Sequence, residues 1–402
     1  MALFFVLTLF LSKTCRNMII FLRCFSFYFL KTMKKYLFFT CMVVFCLFFC
    51  CGCGVGTNGT EKSWQYGTKS LSATTLFPDS LILRAENFNI HKDIIVLSER
   101  SNPQLFAVFQ IQENDSLKKT GSFVNSGRGP HEVTAGRGYW IQENNLYAIC
   151  SYNPHGKIFL IPSEEIKDLS SPNRWTVYEN QELFSAINIL PLDSVTLLIQ
   201  KGDANNDKMF ALLDLPSGQM KDLEIRFPED DVQATWRDKA IHIYNGRFGK
   251  RPYHDQFLYS STYGQIVTIY RMENEHIVEE IPIYNELPRY SAAGNGIRRE
   301  NTNKWGYHPV VTSEYIYLGD LKMMDGDVEN AKEKNGFALG DTNEIQVFNW
   351  IGEPIIKFEL EKAVSFYAVD EENKYLYGFA SDPVSFEHYF VRYKLDMDKL
   401  ID

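Results

Sequence analysis

From residue 71 onward the apolar residues form no long stripes. They come in short runs rich in Val, Ile, Tyr and Phe, cut apart by clusters of Gly, Asn, Asp and Pro. Such runs predict strands and turns, and because no 3.6-residue apolar period persists, the pattern predicts an all-β chain. The expected strands are Leu81–Arg84, Ile94–Ser98, Leu105–Gln112, Leu146–Cys150, Lys157–Ile161, Val195–Gln200, Met209–Leu213, Phe257–Ser260, Ile266–Arg271, Tyr315–Leu318, Ile345–Trp350, Tyr375–Phe379 and Tyr389–Lys394.

These strands recur as a unit. A short run with Leu-Tyr or its equivalent (Leu146-Tyr147, Leu258-Tyr259, Ile316-Tyr317, Leu376-Tyr377) precedes a longer alternating run. Units starting near 94, 146, 195, 257, 315 and 375 are spaced by 52, 49, 62, 58 and 60 residues. A period of roughly 40–60 residues with about four short strands is that of a propeller blade, a sheet too small to bury both faces unless its neighbours stack on it. Six starts predict a six-bladed β-propeller with four-stranded blades over residues 71–402. The extra run Leu71–Arg84 ahead of the first unit predicts closure by an N-terminal strand that completes the last blade. Two stacked β-sandwiches are the alternative architecture.

The N-terminal region reads differently. Met33-Lys34-Lys35 opens onto an apolar run from Tyr36 to Cys51, then Gly52, Cys53 and a glycine-rich stretch. A basic start, an apolar run shorter than the ~20 residues of a spanning helix and a small residue before the cut make a cleaved export signal over residues 33–52. Cys53 behind Gly52 is the expected lipidation site, with Cys50 and Cys51 as the alternatives, and residues 53–70 form a tether. Residues 1–32 read as an over-extended start ahead of Met33. Seven of the eight cysteines precede position 54, so the body has neither a disulfide framework nor a thiolate metal cluster.

Charge changes the list of partners. Net charge is −9 for the chain, and residues 1–52 carry six bases and no acid, which leaves the body at −15. An acidic body repels phosphate backbones and argues against nucleic acid.

The blade rhythm, the lipoprotein-like start and the segment Ser126-Gly127-Arg128-Gly129-Pro130-His131-Glu132 together resemble the six-bladed, TolB-like propeller lipoproteins of Bacteroides-type bacteria, over most of residues 70–396. That family commonly has Gly-x-Gly-Pro-Gly-Glu here, and His131 replaces its third glycine. Gly127 and Gly129 permit positive φ and Pro130 then fixes the chain, as a tight crossover near the axis requires. Arg128, His131 and Glu132 are therefore a loop of interest at the channel mouth.

Catalytic motifs are absent: there is no nucleophile elbow, His-Glu-x-x-His helix or P-loop. Asp203-Ala204-Asn205-Asn206-Asp207 with Asp214 has calcium-loop spacing, but Lys208 replaces the glycine such loops need, so a polar turn is expected. Asp325-Gly326-Asp327-Val328-Glu329 is expected to be a solvated loop. The eight histidines are spread singly and no metal or cofactor is expected. Glu132, Asp203 and Asp320 are carboxylates that a propeller glycosidase could pair across its axis. Two basic, aromatic inserts stand out on the acidic body: Arg247, Lys250 and Arg251 in one, and Arg298, Arg299, Trp305 and Tyr307 a unit later. Arginine with aromatic rings clamps carboxylates or stacks on sugars. The expectation is a lipid-anchored cell-envelope module that binds a protein, peptide or glycan, preferably anionic, through a rim built from both inserts. A lactonase or glycosidase working in the central channel is the alternative.

Overall fold

The computed structural model describes residues 63–78, 85–99, 103–127, 132–133, 136–142, 145–150, 156–162, 175–202, 205–294, 296–327, 340–381, 388–397 and 399. The signal segment, Cys50, Cys51 and Cys53 lie outside them, as do the expected strand Leu81–Arg84 and loop residues Arg128 and His131. No helix among the described residues is long and apolar enough to cross a membrane.

Six antiparallel meanders follow one another from residue 85. Blade 1 is Ala85–His91, Ile94–Glu99, Gln104–Ile111 and Ser116–Ser126; blade 2 is Gly136–Gln142, Asn145–Cys150, Gly156–Pro162 and Thr176–Asn180. Blade 3 is Ala186–Pro191, Thr196–Lys201, Phe210–Asp214 and Met220–Asp222; blade 4 is Gly246–Lys250, Gln256–Ser261, Gln265–Glu273 and His276–Glu286. Blade 5 is Tyr307–Val311, Tyr315–Asp320, Thr342–Asn349 and Pro354–Val364, with Thr68–Leu71 added in parallel as a fifth strand. Blade 6 is Phe366–Val369, Tyr375–Ser381 and His388–Lys394, and its fourth strand is Ala73–Pro78 from the start of the body.

The first strands of successive blades touch in an unbroken cycle from blade 1 through blade 6 and back, so the sheets form a closed propeller. Closure is made as the sequence suggests: Ala73–Leu76 pairs antiparallel with Phe390–Tyr393. The same strand then reaches blade 1, where Phe77 and Pro78 run parallel to Ser116 and Leu117.

Every unit start read from the sequence proves to be the second strand of a blade. The reason is burial on both faces: Ile94–Glu99 is buried throughout, whereas the outer strand His276–Glu286 is mostly exposed. Sheets that stack on each other bury their middle strands completely, and only those give a continuous apolar run.

Polar side chains stitch neighbouring blades. The Tyr367 hydroxyl on blade 6 accepts from Gly319 N–H at 2.8 Å and donates toward the carbonyls of His308, 2.5 Å, and Tyr317, 3.0 Å, on blade 5. Between blades 3 and 4, Gln200 accepts from Gly246 N–H at 3.2 Å and Asn188 donates to the Gly246 carbonyl at 2.9 Å. Gly249 sits so close to blade 5 that a Cβ would lie 2.8 Å from Val311, which is why this inner strand needs glycine there.

Candidate functional site

In each blade the meander puts the first-to-second and third-to-fourth hairpins at one face. The second-to-third turns and the crossovers between blades lie at the other. This simple alternation decides which of the sequence-selected residues can cooperate.

Arg251 begins the first hairpin of blade 4. Its Nε donates to the Ser313 carbonyl at 2.7 Å, its Nη1 to Gln256 at 2.6 Å, and its guanidinium lies 5.5 Å from the Trp350 ring centroid. Arg298 and Arg299 sit in a small hairpin, Tyr290–Ala293 with Gly296–Arg299, within the crossover that leaves blade 4. That crossover packs on the turn after strand Gln256–Ser261, through the Tyr263–Trp305 bridge and Gly264 N–H donating to Lys304 at 2.9 Å. Arg251 is at the opposite end of the same strand, roughly 17 Å away at about 3.4 Å per residue. Arg251 and the second insert therefore lie on opposite faces, and the single rim expected from the sequence does not form.

Most of the second insert is structural. Asp325, expected in a solvated loop, is only 8% exposed. It accepts from Arg299 Nε at 2.9 Å and from Trp305 Nε1 at 3.2 Å, while Arg299 also donates to the His242 carbonyl at 3.0 Å and lies over Tyr263 at 3.6 Å. Tyr307, placed at the rim by the sequence reading, is 6% exposed and stacks on Tyr284, centroids 4.9 Å apart, in the blade 4–blade 5 core. Arg298 alone of this insert is exposed.

The loop of interest and the acidic turns are likewise built into the fold. Glu132 belongs to a short strand parallel to Asn125–Ser126, and a Cβ on Gly127 would strike its carboxylate. Gly127 thus serves close approach, not the positive φ the sequence reading assigned to it. In the calcium-like loop Asp207 pairs with Arg226 at 2.5 Å and Asp214 caps Ser217; Asp203 lies outside the described residues. Asp320 stands on a second strand, where burial and then the nearby Glu344 raise its carboxyl. Among the described residues no group of three His, Cys, Asp or Glu is placed to hold a metal ion.

The concave site lies on the axis. A funnel of about 680 Å³ is lined by the first strands of blades 1, 3, 4, 5 and 6 together with the hairpin residues Pro252, Tyr253, Ser313, Glu371 and Glu372. Its polar groups include Asn87, Asn89, Asn188, Arg247, Lys250 and His308. Of the sequence-selected residues, only Arg247 and Lys250 line it, with the hairpin of Arg251 at its mouth.

Arg247 is open to the funnel yet surrounded by protein. Separation from bulk water lowers its pKa, and the neighbouring Tyr367 only partly opposes that shift. It has no ion-pair or hydrogen-bond partner among the described residues. His308, the second residue of the adjacent inner strand, is 8% exposed and lines the same funnel. Burial first, and the Arg247 charge second, hold its pKa well below the ordinary histidine value, so it is neutral at pH 7. Its ring nitrogens also lack a hydrogen-bond partner among the described residues; the ring faces Tyr367 at 5.3 Å and Phe366 at 6.3 Å. The funnel carboxylates are in use: Glu371 binds His91 at 2.8 Å and Glu372 pairs with Lys374. At the mouth, Tyr253 is 70% exposed and sits at φ 60°, a strained conformation for a bulky residue of the kind found at ligand clamps.

Comparison with known proteins agrees with this geometry. The family described as TolB-like 6-blade propeller-like matches residues 68–372. The chain belongs to that family. Among solved structures, this TolB-like propeller is similar to a member of the DUF4221 family from Bacteroides vulgatus, with TM-score 0.52 and 12% identity, covering 81% of this chain and 96% of that one. It is also similar to a candidate exported protein from Bacteroides fragilis, with TM-score 0.48 and 10% identity, covering 81% and 98%. No curated protein matches. At these identities the likeness speaks for the fold alone.

The sequence reading missed Asn87 and Tyr367 as site residues; Tyr253 and His308 belong to the two basic, aromatic inserts but are not among the ligand-binding residues picked from them. A signal existed for some of them. Once second strands are located, the run just upstream of each must be the inner strand, and polar residues there (Asn87, Asn188, Arg247, His308) line the axis.

Proposed function

We propose that this TolB-like propeller is a lipid-anchored module of the cell envelope that binds a protein, peptide or glycan ligand in its axial funnel and performs no chemistry on it. The observation that carries the reading is the funnel itself: a large cavity shared by five blades, with an arginine that no group among the described residues pairs with. Such cavities at the meeting point of repeated elements are where ligand sites concentrate. Of the three funnel carboxylates, Glu86, Glu371 and Glu372, the last two already serve His91 and Lys374, which favours binding over hydrolysis. The envelope address and the anchor rest on the signal-like segment from Met33 to Cys53.

The test is a panel of acidic peptides, uronate oligosaccharides and neutral oligosaccharides titrated against three proteins: wild type, Asn87→Trp, which fills the funnel, and Arg298→Glu on the crossover face. Binding lost in Asn87→Trp and retained in Arg298→Glu is the expected result. The reverse pattern would move the site to the crossover face.

A further inference from the structure

The funnel reading says where a ligand sits; the chemistry at its crossover end says what the ligand carries. Arg247 and His308 occupy the same second position on adjacent inner strands, line the same funnel, and the Arg247 charge reaches the His308 ring. Both are unpartnered among the described residues. Leaving a guanidinium without a counter-charge in a protein-dense setting is unfavourable, as is burying an imidazole without a hydrogen bond. No side-chain hydrogen bond among the described residues repays either cost, because the Tyr367 hydroxyl beside them is spent on backbone groups of blade 5.

We infer that Arg247 and His308 form a capture site for a single carboxylate, that of a uronic acid unit in a glycan. This rests on the funnel being the ligand site. The guanidinium supplies one positive charge and a planar fork matched to a carboxylate, and the neutral imidazole supplies one N–H. One charge matches a monoanion. A dianion such as phosphate would leave an uncompensated charge inside an acidic body whose funnel already holds Glu86, Glu371 and Glu372. The remaining lining suits a sugar: Asn87 and Asn89 offer amide groups to hydroxyls, and the strained, exposed Tyr253 ring at the mouth offers a flat face to the next unit.

The experiment uses D-glucuronate as probe, with glucose, inorganic phosphate and a short peptide bearing a free C-terminus as alternatives. Histidine ring NMR and calorimetry give the readouts. Glucuronate should shift the His308 ring signal and bind at least tenfold tighter than glucose or phosphate. Arg247→Met should lose roughly 10–100-fold, the range expected for one charge-assisted interaction. Arg247→Lys should fall between, since it keeps charge without the fork, and His308→Gln should lose a few-fold. The two Arg247 variants should keep the wild-type melting temperature, because that side chain has no hydrogen-bond or ion-pair partner among the described residues, whereas His308→Gln also loses ring packing on Tyr367 and Phe366 and is judged by its binding loss beside its melting temperature.

Four outcomes overturn the proposal. If glucose binds as well as glucuronate, with the funnel perturbed, the site takes a sugar without needing its charge. If the peptide tail alone binds there, the ligand is a protein. If phosphate binds most tightly, charge matching is wrong. If no probe perturbs the funnel at all, the reading on which this rests fails with it.

Discussion

Asp230 gathers four donors, one of them the Val232 N–H at 2.9 Å. Lys239 Nζ lies 2.7 Å away and the Tyr244 hydroxyl 3.4 Å away, and the Tyr290 hydroxyl makes a short bond to it. Burial alone would raise its carboxyl, but Lys239 and Tyr290 outweigh burial and hold the pKa below the ordinary 3.8. A depressed carboxylate stabilises the fold above the unfolded-state value, and that contribution is lost as pH falls through the lower folded-state value. Asp230→Asn should therefore flatten the stability profile below about pH 4, as read from melting temperature against pH. Lys239 is almost wholly buried, so Lys239→Met alone should cost about 3 kcal/mol by leaving a buried charge unpaired, and the double variant with Asp230→Asn should cost less. Denaturant titration of the three variants checks that order; a double-variant loss equal to the sum of the two single losses would mean the pair is not coupled. Tyr367→Phe should cost about 1–3 kcal/mol, since it strands the Gly319 N–H and removes the link between blades 5 and 6.

At the scale of the element, legibility followed burial. The second and third strands of each blade are sandwiched between neighbours, so residues 94–97 or 257–259 read as an unbroken apolar run. Some inner strands carry polar residues where one edge lines the funnel; Ala85–His91 and Gly246–Lys250 gave no comparable run. Outer strands alternate with solvent, and Met220–Asp222 is only three residues long. The rhythm of the middle strands was thus enough for blade number and closure but not for the position of each strand within its blade. Closure itself is testable. Leu76 is fully buried among Phe88, Phe109 and Phe390, so Leu76→Ala should cost about 2–5 kcal/mol. Deleting residues 63–78 should abolish cooperative unfolding; a fragment starting at residue 85 that melts as sharply as wild type would contradict a closed ring.

At the scale of the whole molecule, the candidate site was legible in part. Charge standing out against an acidic body pointed to Arg247 and Lys250, which line the funnel, but equally to Arg299, Trp305 and Tyr307, which build the crossover and the core. Sequence spacing cannot separate these cases. The face on which a loop lies depends on whether it follows an odd or an even strand of its blade, and that count needs the inner strands the pattern hides. His308 is the last residue of the second insert, and nothing in the spacing sets it beside Arg247 until the ring does. The central claim is that ligands enter the axis and not the crossover face. The most direct test is a methyl NMR titration of isotope-labelled protein with D-glucuronate and its oligosaccharides, reading Ile187, Val311 and Val369 in the funnel against Ile297 in the crossover hairpin. The account predicts saturable shifts at Ile187, Val311 and Val369 with Ile297 unmoved; shifts confined to Ile297 and its neighbours would contradict it.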